Sequence, residues 1–297
     1  MPYLIENAAI LRENKITRES IMTEGDTIDT IRPDLTRYTF RKMNVEGFLM
    51  TPCFTVLDGT LLDNSPSQST QIVKDYVMNG ATTVITYVKP AYERELAGRL
   101  ENAQKQLSDS PADYAIAVKI PLTSLTPTLI RDCKRRKLPA IFVEINHLSD
   151  FAKVPWGWVR EAVFPGNFPL IPIFNGTETD VDRQLLVKWT KTMASEKIQT
   201  IPHEIKESIP LSPYEMNRLG IYPNRSSLLH KAELSYNLYR NDEEVKNVDE
   251  VSMFLYHRER LAVTVLRGCV IRPDEKAGVG MVTGENIKIK THSYYSF

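Results

Sequence analysis

Six side chains stand beside apolar runs, where strand ends could gather them for chemistry: Asp58, Lys119, Glu144, His147, His203 and Glu204. Asp58 follows the run ending at Leu57, Glu144 and His147 close and follow AIFVEI, and His203 and Glu204 follow KIQTI. Two imidazoles with nearby carboxylates can hold one divalent ion, and water on such an ion becomes a nucleophile for which a carboxylate serves as base. The opposing reading is plainer. Neither histidine belongs to a recognised ligand-spacing motif, and a histidine after a strand commonly serves as a loop or capping residue. Lys119, inside AIAVKIPL, reads equally as a lysine whose stem runs along a strand to solvent. No Gly-rich phosphate loop, paired CxxC or G-x-S-x-G elbow is written in the chain.

The elements that must position these groups fall into three stretches. Residues 3 to 31 place Leu4, Ile10, Ile16, Ile21, Ile28 and Ile31 in short alternating segments separated by polar turns, which predicts a small antiparallel sheet. From Phe48 the pattern becomes strand then helix: the run ending near Leu57, a helix over 67–79, strand 82–88, a helix over 91–107 and strand 114–120. A helix capped by Thr126 with Pro127 in its first turn follows, then strands 140–145 and 168–174, a helix over 181–194, and a short sixth strand at 198–201. The basic run Lys134 to Lys137 reads as a helix end. NGTETD, Asn175 to Asp180, reads as a loop with Asp180 capping the next helix, and Trp156 and Trp158 in VPWGWV read as packed under a loop. Beyond Arg225, the stretches 234–239, 251–255, 263–270 and 287–289 read as short strands, and His230, His257 and His292 fall there, away from any barrel mouth.

Thirty-seven basic and thirty-seven acidic side chains cancel, so no long-range field draws the protein onto nucleic acid or an anionic membrane. The longest apolar runs are far shorter than a membrane helix requires, and the first twelve residues lack a signal-peptide pattern, which together predict a cytoplasmic protein. Cys53, Cys133 and Cys269 read as reduced core thiols.

Several segments resemble the cyclic amidohydrolases of the dihydroorotase and hydantoinase type. YLIENAAIL with IMTEGDTIDTI is similar to that family's opening strands, GFLMTPCFTVLDGTLLD to the entry into its first barrel strand, and NGATTVITYV to its second. Near the other end, MNRLGIYPNRSSLLHKAELSYNLYR and LAVTVLRGCVIRPDEK are similar to the passage into the final sheet and to its last hairpin. The resemblance implies a metal-bearing (β/α)8 barrel beside a small sandwich made from both chain ends. It also implies two histidines, one residue apart, closing the first barrel strand; Asp58 and Thr60 stand at those places. Threonine is a poor zinc ligand, so the most recognisable half of the site is missing. Lys119 is the residue placed to imitate the family's bridging lysine.

About 170 residues separate Phe48 from Tyr214, against about 250 for eight βα units. The expected fold is therefore α/β, a shortened or incomplete TIM-like barrel (residues 48–224) with a small β-sandwich formed by residues 1–47 and 225–297. Exposed strand edges in such a barrel would be covered by loops, by the β-rich part, or by a second copy in a homodimer. The expected function is a non-catalytic scaffold for a ligand or protein partner, with no cofactor. The alternative is a hydrolase of cyclic amide C–N bonds with one zinc or manganese ion rebuilt on Asp58, Glu144, His147 and His203.

Overall fold

Alternating burial along residues 3–32 produces a three-stranded meander in the computed structural model, which describes residues 2–12, 14–174, 180–241, 249–272 and 283–293. Strands β1 (Tyr3–Arg12), β2 (Lys15–Glu24) and β3 (Thr27–Arg32) pair antiparallel, and Gly25 takes the φ of +63° that the second turn requires. Strands β4 (Arg41–Asn44) and β5 (Phe48–Pro52) run parallel to opposite ends of β1. Chain direction then changes at Cys53, and the second sheet begins.

That sheet contains β6 (Phe54–Leu57), β7 (Ala81–Val88), β8 (Asp113–Pro121), β9 (Ile141–Ile145) and β10 (Leu170–Phe174), all parallel and ordered in space as in sequence. Helices α1 (Pro66–Met78), α2 (Leu96–Gln106), α3 (Pro127–Arg135), α4 (Trp156–Val163) and α5 (Asp180–Ser195) follow the five strands in turn. Their starts obey local chemistry. Ser65 and Gln68 form a reciprocal capping box at α1, and Thr126 accepts the Leu129 N–H at 3.1 Å with Pro127 opening α3. The large core between strands and helices contains Val73, Leu100, Ile130, Val159 and Trp189. The loop read at Asn175 to Thr179 lies outside the described residues, and Asp180 is the first residue of α5.

Five strands make half a barrel, whose concave face must still be covered. Residues 198–211 do this as a strap. Thr200 bridges to Leu170 on β10, Pro210 bridges to Val56 on β6, and Ser208 and Leu211 donate their N–H groups to Leu57 and Thr55 at 2.8 Å each. The anticipated sixth strand at 198–201 is thus reduced to one bridge. Inside, the small Ala115, Ala117 and Ala140 leave room for Met216, Leu219 and Ile221, which come from α6 (Pro213–Arg218) and the turn after it. Each edge of the parallel sheet therefore meets this chain's own strap at one bridge.

The chain then returns to the first sheet as β11 (Tyr236–Arg240), β12 (Leu261–Leu266) and β13 (Cys269–Arg272), with β11 pairing to β5. The two chain ends build one mixed sheet of eight strands. It bends round until β3 meets residues 231–234, with Ile28 N–H to Ala232 O at 2.8 Å and Leu234 N–H to Asp26 O at 2.7 Å. Ile5, Ile10, Ile21, Ile28 and Leu234 fill this fold. Because β5 belongs here, the barrel part begins at β6 rather than at residue 48.

Four expectations change. Residues 251–255 form part of helix α7 (Glu250–Tyr256), since Asp249 accepts the Ser252 N–H at 2.7 Å and Phe254 packs edge-on against Phe54 at 5.4 Å. Trp156 is packed, stacking on Phe151 and donating to its carbonyl at 2.9 Å, but Trp158 lies about 200° further round α4 and is 63% exposed. Cys53 and Cys133 are buried free thiols, whereas Cys269 is exposed on the edge strand β13. Residues 287–289 add no strand to the first sheet; apart from a single bridge at Asn286, segment 283–293 runs irregularly beneath the half barrel. Tyr114 N–H donates to Glu285 O at 3.0 Å, Ile287 N–H to Tyr114 O at 2.8 Å, and Ile289 N–H to Lys137 O at 2.9 Å. Ile289 enters the inner core. Gly284 lies so close to the Ala112 carbonyl that any side chain would collide.

His292 ends this segment between the Leu138 and Pro139 carbonyls, 3.2 and 3.1 Å away, edge-on to Phe168 at 5.2 Å. Burial, assisted by Lys134, lowers its pKa from 6.5 to about 4. The folded protein thus prefers the neutral ring, while the unfolded chain takes up a proton below pH 6.5. Stability contributed by this residue is full above pH 6.5, falls as pH drops toward 4, and is constant below that, a loss on the order of 3 kcal/mol. Urea midpoints across this window should converge for His292→Gln and the parent at low pH if the ring is the cause; parallel curves would reject it.

A single cation terminates α4. Lys134 Nζ lies 2.9, 3.0, 3.3 and 2.8 Å from the carbonyls of Ala162, Val163, Phe164 and Pro165, satisfying groups a helix end leaves unpaired. Lys134→Met should cost about 2 kcal/mol in chemical denaturation; a neutral result would mean that water replaces the ammonium without loss.

Candidate active-site mouth

Parallel strands bring their carboxyl ends to one mouth, and the strap crosses it. Asp58 follows β6, its N–H continuing the ladder to Ile85 O at 2.8 Å. Its carboxylate is 5% exposed and fully engaged: Oδ1 accepts the Thr60 N–H and hydroxyl at 2.9 Å each, and Oδ2 accepts the Tyr76 hydroxyl at 3.1 Å. Tyr76 also meets Ser208 of the strap at 2.8 Å. Burial and the Asp58 charge push the Tyr76 phenol up to about 12, so it remains a donor.

Tyr87 alternates with Ile85 on the inner face of β7, its ring 5.2 Å from Phe142. Its hydroxyl donates to Glu207 Oε1 at 3.1 Å. This pair lies directly over Gly59, where a Cβ would collide with both the phenol oxygen and the carboxylate. Burial first, then Glu207, raises the Tyr87 pKa. The space between positions 58 and 60 is therefore filled by a phenol and a strap carboxylate.

Beside Tyr87, Lys119 Nζ lies 3.1 Å from Glu144 Oε1, with side chains 18% and 23% exposed, and 5.8 Å from the Tyr87 ring centroid. Lys89 Nζ stands at the same distance from that ring and pairs with Asp63 at 2.6 Å. Glu204 accepts the Phe174 N–H. Burial of its carboxyl raises its pKa, partly offset by that N–H and by Lys119. The mouth thus offers a half-buried ammonium–carboxylate pair and a carboxyl that keeps its proton more readily than usual, above the buried Tyr87 ring.

The histidines do not join it. His203 Nε2 is 2.9 Å from Glu215 Oε1, and Glu215 caps α6 through Ser212 N–H at 2.7 Å. His147 is exposed at the start of the turn Leu148–Lys153. Among the described residues, the group of three potential ligand atoms close enough to share an ion is Asp113, Glu233 and Glu285, at the opposite end of β8. Arg225 and Arg267 bind that trio, with Arg225 Nη1 to Glu233 at 2.8 Å and Arg267 Nη1 to Asp113 Oδ1 at 2.5 Å, so it is an ion-pair network. The residues present at the mouth do not fit a metal centre: Asp58 is committed to hydroxyl and amide donors, and Lys119 to Glu144. Tyr76, Tyr87 and Glu207 were not singled out from sequence. The one available signal was a tyrosine at an inward position near the end of TTVITYV.

Compared by sequence, the chain matches no family model and no curated protein. Compared by structure, it is similar to a D-hydantoinase at TM-score 0.62 and 9% identity, with 100% of both chains covered. A dihydropyrimidinase from Brevibacillus agri gives 0.61 at 10% identity, covering 98% of this chain and 99% of that one. An atrazine chlorohydrolase variant from Arthrobacter aurescens, complexed with zinc and atraton, gives 0.54 at 11% identity, covering 92% and 96%. The fold is amidohydrolase-like: a curled half barrel of five parallel strands with a separate mixed sheet. Among the described residues, no helix is long and apolar enough to cross a membrane.

Proposed function

We propose that this protein is a non-catalytic relative of the hydantoinase-type amidohydrolases that binds a small polar ligand at the strapped mouth. The observation that carries this reading is the Tyr87–Glu207 pair seated on Gly59, between the two positions where the resemblance would place metal histidines. A ligand carrying both hydrogen-bond donors and acceptors suits Lys119, Glu144 and Glu204. Alternatively the same scaffold braces a protein partner; exposed Trp158 and Phe164 favour this second use.

The test is hydrolysis of hydantoin, dihydrouracil and dihydroorotate after incubation with zinc or manganese, alongside thermal-shift measurements with the same compounds. The reading expects no turnover, and any ligand-induced stabilisation to be lost in Lys119→Met. Turnover that disappears in Asp58→Ala would overturn it.

A further inference from the structure

The floor of the half barrel joins two basic stretches. Ile289 N–H binds Lys137 O at 2.9 Å, so Lys288 and Lys290, both exposed, flank the exposed Lys137 at the end of α3. Partial burial of the Lys288 stem first, and then the charge of Arg136, lowers the Lys288 pKa. Asp132 neutralises part of this group, binding Arg136 Nε at 2.9 Å and Arg135 Nη2 at 2.5 Å. Among the described residues Lys137, Lys288 and Lys290 form no ion pair. Lys134, beneath them, spends its charge on the end of α4, and His292 is held neutral.

The terminal segment therefore docks against a helix end of its own charge sign. Backbone hydrogen bonds and Ile289 hold it there against that repulsion. In a chain whose total charge is zero, such crowding of like charge is local. We propose that Arg136, Lys137, Lys288 and Lys290 form a site for a small multivalent anion of the polyphosphate type, which fastens the C-terminal segment to α3. Three lysines on two adjacent stretches, beside an Arg136 that shares its charge with Asp132, suit a compact ligand with several negative oxygens. A nucleic-acid polymer would need a longer basic track, and the neutral chain supplies no field to gather one.

Sodium tripolyphosphate is the probe, compared with sodium chloride at equal ionic strength. It should raise the thermal midpoint and slow hydrogen exchange at the Ile287 and Ile289 amides, which hold the segment. Lys288→Gln/Lys290→Gln, at exposed positions, should bind about tenfold or more weakly, and Lys137→Gln should reproduce the loss. Equal effects of chloride and tripolyphosphate would reduce the observation to screening and overturn the site. Unchanged affinity in both variants would place the anion elsewhere, and tighter binding of a single-stranded RNA 20-mer than of tripolyphosphate would overturn the compact ligand.

Discussion

Ile289→Asp is expected to release the C-terminal segment and lower stability by about 3–5 kcal/mol, the range for removing a buried aliphatic side chain with a charge left in its place. Ile289 is 3% exposed and fills the inner face of the half barrel beside the small residues Ala115, Ala117 and Ala140. Those alanines cannot close over the gap, because strand spacing is fixed by the ladders on either side. Urea denaturation would report the loss, and hydrogen exchange at the Tyr114 and Ile287 amides would report undocking. A change below about 1 kcal/mol would mean that the segment contributes little to the floor.

Asp113→Ala should cost about 3 kcal/mol, at the lower end for breaking a buried ion pair, because Glu233 and Glu285 still accompany the two guanidiniums. Asp113 is fully buried at the start of β8, and its carboxylate binds both Arg225 and Arg267 and accepts the Glu285 N–H at 2.9 Å. It ties together four stretches remote in sequence: the barrel, the approach to β11, the turn between β12 and β13, and the C-terminal segment. The exposed Glu285→Gln, by contrast, should change stability by less than about 1 kcal/mol. Equal effects of the two substitutions would show that burial does not govern this network.

The half barrel was legible because its strands are continuous apolar runs and its helices carry local start signals, Ser65 with Gln68 and Thr126 with Pro127. Elements fixed by distant partners were not. The strap has almost no periodicity, and its course is set by the two strand edges it joins. Residues 251–255 have an apolar pattern that serves a strand or a single helical turn, and the Asp249 cap decides between them. At the mouth, Asp58, Lys119 and Glu144 were visible as side chains at strand ends. The groups brought from other elements were not, since Tyr76, Glu207 and Ser208 reach the site only through the packing of α1 and the strap.

We propose that this mouth holds no catalytic metal. Elemental analysis of the purified protein, before and after incubation with zinc and manganese, addresses it most directly, with Asp58→Ala and His203→Ala measured alongside. The account predicts no stoichiometric ion, and no difference between the parent and either variant. About one ion per chain, lost in both variants, would contradict it and show Asp58 and His203 converging on a metal that their present partners must surrender.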